Sequence, residues 1–101
     1  MAHFSIISWR NIPAQIIVRT GRSAAKRELP LRFQEAIDRA AMAFGAKDSD
    51  AYLAEWKRSA PQECGEDLEA EADRLAAELE AAYSSTRLHA LAQAGGHETP
   101  A

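Results

Sequence analysis

The first twenty residues show the alternation of apolar and polar positions that is typical of β-strands. Residues 3–9 and 15–20 are rich in strand-forming side chains, and the connection 10–13 holds an asparagine and a proline that suit a turn. This pattern predicts an antiparallel β-hairpin. One face of the hairpin is expected to enter the core through Phe4, Ile6, Ile16 and Val18. The opposite face would hold Ile7, Trp9 and Ile17.

Two segments beyond the hairpin have the apolar spacing of helices. The first starts at Pro30, whose missing N–H is not needed there, and ends at Gly45. The second follows the capping oxygens of residues 48–50 and closes at Pro61. Their apolar positions are Phe33, Ile37, Ala40, Ala41 and Phe44 in the first helix and Tyr52, Leu53 and Trp56 in the second. Because a lone hairpin is marginally stable, we expect helices to cover one face and leave the other for a partner.

The pattern changes after residue 66, where leucine and alanine recur in alternating steps of four and three residues. This heptad-like seam consists of Leu68, Ala72, Leu75, Leu79, Ala82 and Thr86. It predicts one long acidic helix that packs back on the domain or pairs with another chain. Gly95 and Gly96 then begin a polar end that we expect to be a flexible tail.

Together these elements predict an α+β fold in a single domain of 101 residues. The N-terminal antiparallel β-hairpin packs against two short helices within residues 1–60. The long acidic C-terminal helix covers residues 61–94, and the flexible tail covers residues 95–101. A domain of this size buries only about 60–65% of its unfolded surface, so formation of a homo-oligomer would help to stabilise it.

Charge is distributed unevenly along the chain, although the net charge is only −3. Residues 1–30 carry five basic residues and one acidic residue, whereas residues 61–101 carry nine acidic residues and two basic ones. The basic part attracts anions, and the acidic part opposes binding of the whole chain to nucleic acid. The single cysteine excludes an intramolecular disulfide, and no apolar run approaches the ~20 residues that span a bilayer. With no signal peptide visible, we expect a cytoplasmic protein that does not contact the membrane.

Side chains that carry chemistry are present, but none of them has the spacing of a catalytic or metal site. None of the three histidines stands at metal-ligand spacing with a second histidine, a cysteine or a carboxylate: His3, His89 and His97. Cys64 has acidic neighbours, which make a thiol a poor nucleophile. The carboxylates of residues 66–80 lie along a predicted exposed helix face. We therefore predict no catalytic residue, no metal and no cofactor.

The best candidate for an anion site is the basic segment 21–27, which combines a glycine, a serine and three cations. The residues expected to bind the anion are Arg22, Ser23, Lys26 and Arg27. If Ser23 caps a helical turn, free N–H groups would strengthen the site. The segment is not a P-loop, because the second glycine and the Lys-Ser/Thr ending are absent. We favour the alternative that this segment pairs with the acidic C-terminal helix of the same molecule.

Trp9 and Arg10 give a second signal at the end of the first predicted strand. Tryptophan and arginine are the residue types most enriched in interface hot spots, although a tryptophan beside a turn can equally belong to the core. Both roles of Trp9 stay open at this point. The predicted partner-binding residues are Trp9, Arg10, Ile12, Gln15 and Ile17.

Five strings of the sequence are distinctive: Trp9–Gln15, Gly21–Arg22, Lys26–Arg27, Arg32–Met42 and Asp50–Trp56. They resemble the bacterial "virulence factor" domain family, which consists of small conserved proteobacterial proteins of unassigned activity. The resemblance covers about residues 4–58 and leaves the acidic helix outside. It supplies no catalytic residue. It also implies that stand-alone members neighbour one-carbon and folate methyl-transfer proteins, which places enzymes of that chemistry first among the expected partners.

The sequence thus favours a non-enzymatic protein-interaction or accessory module that serves as a subunit of an enzyme assembly. The alternative is binding of a phosphorylated ligand or nucleic acid through the basic segment 21–27, with nucleic acid opposed by the acidic C-terminal part. An enzyme whose site is assembled from residues distant in sequence is the third interpretation.

Overall fold

A computed structural model describes residues 1–43 and 50–96 of the chain. These residues form five strands and four helices. The strands are β1 (Ala2–Trp9), β2 (Ile12–Thr20), β3 (Ser23–Glu28), β4 (Trp56–Arg58) and β5 (Gln62–Cys64). The helices are α1 (Leu31–Ala43), α2 (Asp50–Ala54), α3 (Leu68–Ala82) and α4 (Ser85–Gln93). The expectations for Phe44, Gly45, Asp48, Ser49 and His97 lie outside the described residues.

All pairs of neighbouring strands are antiparallel, and the strand order is β3–β2–β1–β4. Because β1 is eight residues long, two short strands pair with its outer edge, β5 beside residues 2–4 and β4 beside residues 7–9. The predicted hairpin is confirmed as β1 and β2. Its turn is shorter than predicted and consists of residues 10–11, because Ile12 and Pro13 already belong to β2.

Helices cover one face of this sheet. Helix α3 packs on β2 and β3, α1 packs on β2, and α4 packs on α1. Val18 of the sheet and Phe33 of α1 lie in the same buried core, so the helices and the sheet share one apolar interior. The first four residues of the predicted seam are buried in this core or packed against it, namely Leu68, Ala72, Leu75 and Leu79. The fold is therefore a mixed one, an antiparallel sheet with helices packed on one side.

The structure does not contain the single long acidic helix that the sequence predicts for residues 61–94. This segment begins with β5, and its helical part is divided into α3 and α4. The division lies at Tyr83 and Ser84, whose backbone leaves the helical conformation. The Ser84 hydroxyl accepts a hydrogen bond from the N–H of Arg87 and so caps α4. A capping serine begins a new helix even though the apolar spacing continues across the break.

Residues 23–28 form an edge strand where the sequence predicted a basic loop or a helical turn. The segment has little intrinsic strand preference, but its six residues pair in register with residues 15–20 of β2. The two strands are joined by Gly21 and Arg22, and Gly21 has a φ of +50°, which glycine adopts without strain. Lysine and arginine on such an edge also discourage pairing with a foreign strand.

Trp9 is fully buried, although alternation along β1 places it on the face of Ile7, opposite Ile6. The pairing of β1 with β2 shifts by one residue between Ile7 and Ser8. Ala14 of β2 is skipped at this point, whereas the alternation along β1 continues, because β1 pairs with β4 in regular register up to Trp9. After the shift Trp9 pairs with Ile12, and both side chains are 0% exposed. This irregularity of the hairpin is not visible in the apolar pattern.

The aromatic residues of the second predicted helix are divided between two elements. Tyr52 lies in the short α2, whereas Trp56 is the first residue of β4 and pairs with Trp9. The carbonyl oxygen of Tyr52 accepts a hydrogen bond of 2.9 Å from Nε1 of Trp9. The ring of Tyr52 lies 5.7 Å from the ring of Trp9 and 6.1 Å from that of Trp56, measured between centroids. These three rings close the core at the turn end of the hairpin.

Gly95 and Gly96 are not part of a flexible tail, because they pack against the hairpin turn. Both are buried and have positive φ values of 72° and 89°. The carbonyl oxygen of Gly96 accepts a hydrogen bond of 2.8 Å from the N–H of Asn11. A Cβ atom at Gly96 would lie only 3.0 Å from Cζ3 of Trp9, so this position requires glycine both for its conformation and for its close approach. The end of α4 is thus anchored to the start of β2.

Candidate interaction surface

The face of the sheet opposite α3 is covered only in part by the described residues. At its turn end Trp9 packs against Tyr52 of α2, and residues of α1 line a pocket together with Ile7 and Gln15. Side chains paired across neighbouring strands share a face, and residues that alternate with the core residues Ile16 and Val18 point to this side. We call it the open face. It holds His3, Ser5, Ile7, Gln15, Ile17, Arg19, Ala24, Lys26, Glu28, Arg58 and Glu63.

The open face presents basic side chains that are not neutralised by neighbours. Arg19, Lys26 and Arg58 are all exposed, and within residues 1–43 and 50–96 none of these side chains forms an ion pair. Ile17, at the centre, is 6% exposed, so the accessible surface consists mainly of the polar and basic groups around it. The acidic residues Glu28 and Glu63 are on strands at the two edges of the sheet. Of the three basic residues, only Arg19 is on a central strand, whereas Lys26 and Arg58 are on edge strands.

The helical side of the molecule has the opposite charge. Arg27 points to this side from β3, and its guanidinium contacts Glu69 and Asp73 of α3 at 2.7 Å each. The hydrogen bonds to Glu69 and then Asp73 raise the pKa of Arg27 above its ordinary value. The charge gradient along the sequence thus becomes a separation of charge between the two sides of the sheet, with the acidic α3 on one side and the open face on the other.

The structure does not bring the four expected anion-binding residues to one site. Arg22 lies in the turn before β3, and Ser23 is the first residue of that strand, so no helical turn begins there. Lys26 faces the open side while Arg27 faces α3, because successive residues of a strand point to opposite faces. The segment 21–27 pairs with the acidic helix through Arg27.

The five expected partner-binding residues are likewise separated. Trp9 and Ile12 are fully buried and have no surface to offer a partner, and Trp9 is covered by Tyr52 and Gly96. Gln15 is partly buried on the open face beside the nearly buried Ile17. Arg10 lies at the turn and is held within the domain. Only the Gln15 and Ile17 positions belong to the open face.

Arg10 has a structural environment that explains its position next to Trp9. Its φ of 53° is a left-handed conformation that is rare for arginine. The guanidinium lies 4.8 Å from the Trp9 ring centroid, and Nη1 donates a hydrogen bond of 2.7 Å to the carbonyl oxygen of Gly95. Its Nε is buried 3.5 Å from Oε2 of Glu55, an ion pair without hydrogen-bond geometry. These contacts stabilise the turn.

Two arginines and a histidine of the open face were missed as candidate residues by the sequence reasoning. His3 pairs with Arg19 across β1 and β2, and Arg58 pairs with Ile7. Alternation along β2 could have predicted the position of Arg19, because it stands two residues after Ile17 and therefore on the same face. The position of Arg58 could not be predicted in this way, because β4 has only three residues and is too short to be recognised from its pattern.

Nucleophilic and metal-binding chemistry has little support in the described part of the chain. Burial, and after it the carboxylate of Glu71, raises the pKa of the Cys64 thiol above its ordinary value of 9.0. Between residues 1–43 and 50–96, no three side chains of His, Cys, Asp or Glu lie together in a group that could hold a metal ion. None of the described helices has both the length and the hydrophobicity needed to cross a membrane.

The sequence of the chain matches a known protein family. A family model described as "Virulence factor" matches residues 7–92. The chain belongs to the virulence factor family. The match confirms the resemblance of the N-terminal half and extends it over α3 and α4, which the sequence comparison placed outside. No curated protein and no solved structure gives a significant match to the chain.

Proposed function

We propose that this member of the virulence factor family is a non-enzymatic protein-interaction module, whose open face binds an acidic surface of a partner protein. The observation that carries the proposal is the set of exposed, unpaired basic side chains of Arg19, Lys26 and Arg58 on one side of the sheet. Charge complementarity of this kind increases the rate of encounter and selects the partner. The helical side has an acidic surface that would repel the same partner.

A protein partner fits this surface better than a nucleic acid. Sheets that bind single-stranded nucleic acid do so through aromatic side chains on which the bases stack. Among the described residues the aromatic side chains lie in the core or pack against it: Phe4, Trp9, Phe33, Tyr52, Trp56 and Tyr83. The open face has basic groups but no described aromatic platform besides the imidazole of His3.

An accessory role agrees with the distribution of reactive groups. His3 lies on the open face and His89 in α4, on the opposite side of the molecule, so the two do not form an acid–base pair. The raised pKa of Cys64 disfavours its use as a nucleophile. The proposed module therefore acts by binding, as a subunit of an enzyme assembly. Enzymes of one-carbon and methyl-transfer chemistry are the first partners to test.

The test uses the full-length chain and a purified partner. Candidate partners would be captured with the tagged chain, identified by mass spectrometry, purified and recombined with the chain for calorimetric titration. The decisive variant is the double charge reversal Arg19→Glu/Arg58→Glu. The matched control is Arg39→Glu, which reverses an exposed charge on α1 of the helical side.

Loss of the interaction in the double variant, by about tenfold or more in affinity, with the control unchanged, is the expected result. Equal affinity of all three proteins would refute the role of the open face. Light scattering of the purified chain provides a second readout. A concentration-dependent dimer that the double variant abolishes would make a second copy the occupant, and would contradict a different partner protein.

A further inference from the structure

The open face contains a groove with a volume of about 490 Å³. Its floor includes Ser5 and Ile17, which pair across β1 and β2 and are 2% and 6% exposed. The groove is lined by Met1, His3, Ser5, Ile17, Arg19, Thr20, Gly21, Arg58 and Pro61. The volume lies within the range of about 300–1,000 Å³ that is usual for small-molecule sites.

The groove is lined by basic residues and hydrogen-bond donors and by no acidic residue. Two guanidinium groups and one imidazole line it, together with the hydroxyl groups of Ser5 and Thr20, and its lining includes no aspartate or glutamate. All of these groups can donate hydrogen bonds to an oxyanion. A groove lined by donors and cations is complementary to a ligand that carries several negatively charged oxygens.

Arg22 and Arg39, like Arg19 and Arg58, are exposed and form no ion pair in the part of the chain that the structure describes. What distinguishes Arg19 and Arg58 is that they line one groove together. Arg27 contacts two carboxylates of α3, and Arg74 contacts Glu71 and Glu78. Arg19 and Arg58 come from different strands, are exposed, and form no ion pair or hydrogen bond through their side chains within the described residues. They line the same groove with no carboxylate between them. This arrangement leaves the planar forks of both guanidinium groups available.

We propose that this groove binds a phosphorylated small molecule through Arg19 and Arg58. The guanidinium fork matches the geometry of phosphate oxygens, and two such groups provide more donors than a single carboxylate can accept. His3 and Thr20 line the same groove and can donate further hydrogen bonds to the phosphate. The buried Ile17 and Ser5 give the groove a fixed floor for the rest of the ligand. This site goes beyond the proposed protein interaction and is present in the chain alone.

The experiment is a titration of the full-length, ¹⁵N-labelled chain, followed by NMR. The probes are inorganic phosphate, phosphoserine and glutarate, which separate a phosphate site from a site for paired carboxylates. The variants are Arg19→Gln and Arg58→Gln, and the matched control is Arg39→Gln on α1. The dispersion of the spectrum shows whether each variant is folded, so a misfolded Arg58→Gln leaves Arg19→Gln as the test.

Phosphate and phosphoserine should shift the signals of His3, Ser5, Thr20 and Gly21, and each groove variant should weaken binding by about fivefold or more. The Arg39→Gln control should bind as the unaltered chain does. Shifts spread evenly over all basic residues, or equal binding by the folded groove variants, would overturn the proposal. Glutarate binding as tight as phosphoserine would overturn it as well, because the groove would then select carboxylates. These results concern the isolated chain, so they are independent of the outcome of the partner experiment.

Discussion

Nη1 of Arg10 donates a hydrogen bond of 2.7 Å to the carbonyl oxygen of Gly95, 85 positions further along the chain. The contact joins the turn of the first hairpin to the end of the last described helix. The carbonyl oxygen of the adjacent Gly96 makes a second contact, because it accepts a hydrogen bond from the N–H of Asn11 in the same turn. Most of the domain lies in sequence between these two points, so the contact should matter for stability more than its position at the end of α4 suggests.

Replacement of Gly96 by alanine should destabilise the domain by about 2–4 kcal/mol. The added Cβ would meet Trp9 at 3.0 Å and Cβ of Arg10 at 3.2 Å, and the φ of +89° is unfavourable for alanine. The measurement is urea denaturation followed by tryptophan fluorescence. Gly21→Ala is the matched control, because its φ is also positive but nothing lies within 4 Å of the new Cβ. Equal losses for the two variants would show that the packing against Trp9 contributes nothing.

Replacement of Trp9 by phenylalanine should lower the free energy of unfolding by about 2–3 kcal/mol. The change removes the hydrogen bond from Nε1 to Tyr52 and leaves a gap in the core. The control is Gln15→Ala, another residue expected from sequence to bind a partner, which should change stability by less than about 0.5 kcal/mol. Chemical denaturation of both variants gives the comparison. A Trp9→Phe domain as stable as the unaltered one would contradict the core position of the indole.

The stability of the domain should depend on pH through Glu71. Hydrogen bonds from Arg74 and then from the backbone N–H of Gly65 hold the pKa of Glu71 below its ordinary value of 4.5. The folded state therefore favours the ionised carboxylate. The stabilisation that ionised Glu71 gives to the folded state is fully present above the pKa of this carboxyl in the unfolded chain. It is lost as the pH falls through the lower pKa of Glu71 in the folded state.

Glu71→Gln should accordingly be less stable than the unaltered chain at neutral pH, and the difference should shrink as the pH falls below about 4. Thermal unfolding recorded between neutral and acidic pH measures it. Glu80→Gln, on the same helix, controls for the removal of one negative charge. A difference between the Glu71 variant and the unaltered chain that stays constant over this range would contradict the assigned hydrogen bonds.

Much of the fold follows from local patterns, and the exceptions have identifiable causes. The hairpin and α1 were predictable because Phe4, Ile6, Ile16 and Val18 alternate regularly and the α1 residues recur at helical spacing. Trp9 was ambiguous because its burial depends on Tyr52, Trp56 and Gly96, which are distant from it in the sequence. The edge strand β3 was missed because its pairing with β2 overrides a sequence with weak strand preference.

The candidate surface was harder to predict than the fold. Sequence reasoning placed the contact on five residues between Trp9 and Ile17, of which the structure leaves only Gln15 and Ile17 on the open face. Arg19 and Arg58 line one groove only because β1 lies between their strands in the sheet. That proximity depends on the pairing of β1 with β4, whose partner residues are about fifty positions apart, and one sequence does not reveal it.

The most direct test of the open face is a map of the contact with the purified partner. Signals of the ¹⁵N-labelled chain would be followed while the partner is added, with the amides of β1, β2 and β4 on one side and those of α1, α3 and α4 on the other. The account predicts that the largest changes cluster around Ile7, Ile17 and Arg19, and that reversal of the charges at Arg19 and Arg58 removes them. Changes confined to the helices, with the open face unaffected, would contradict it.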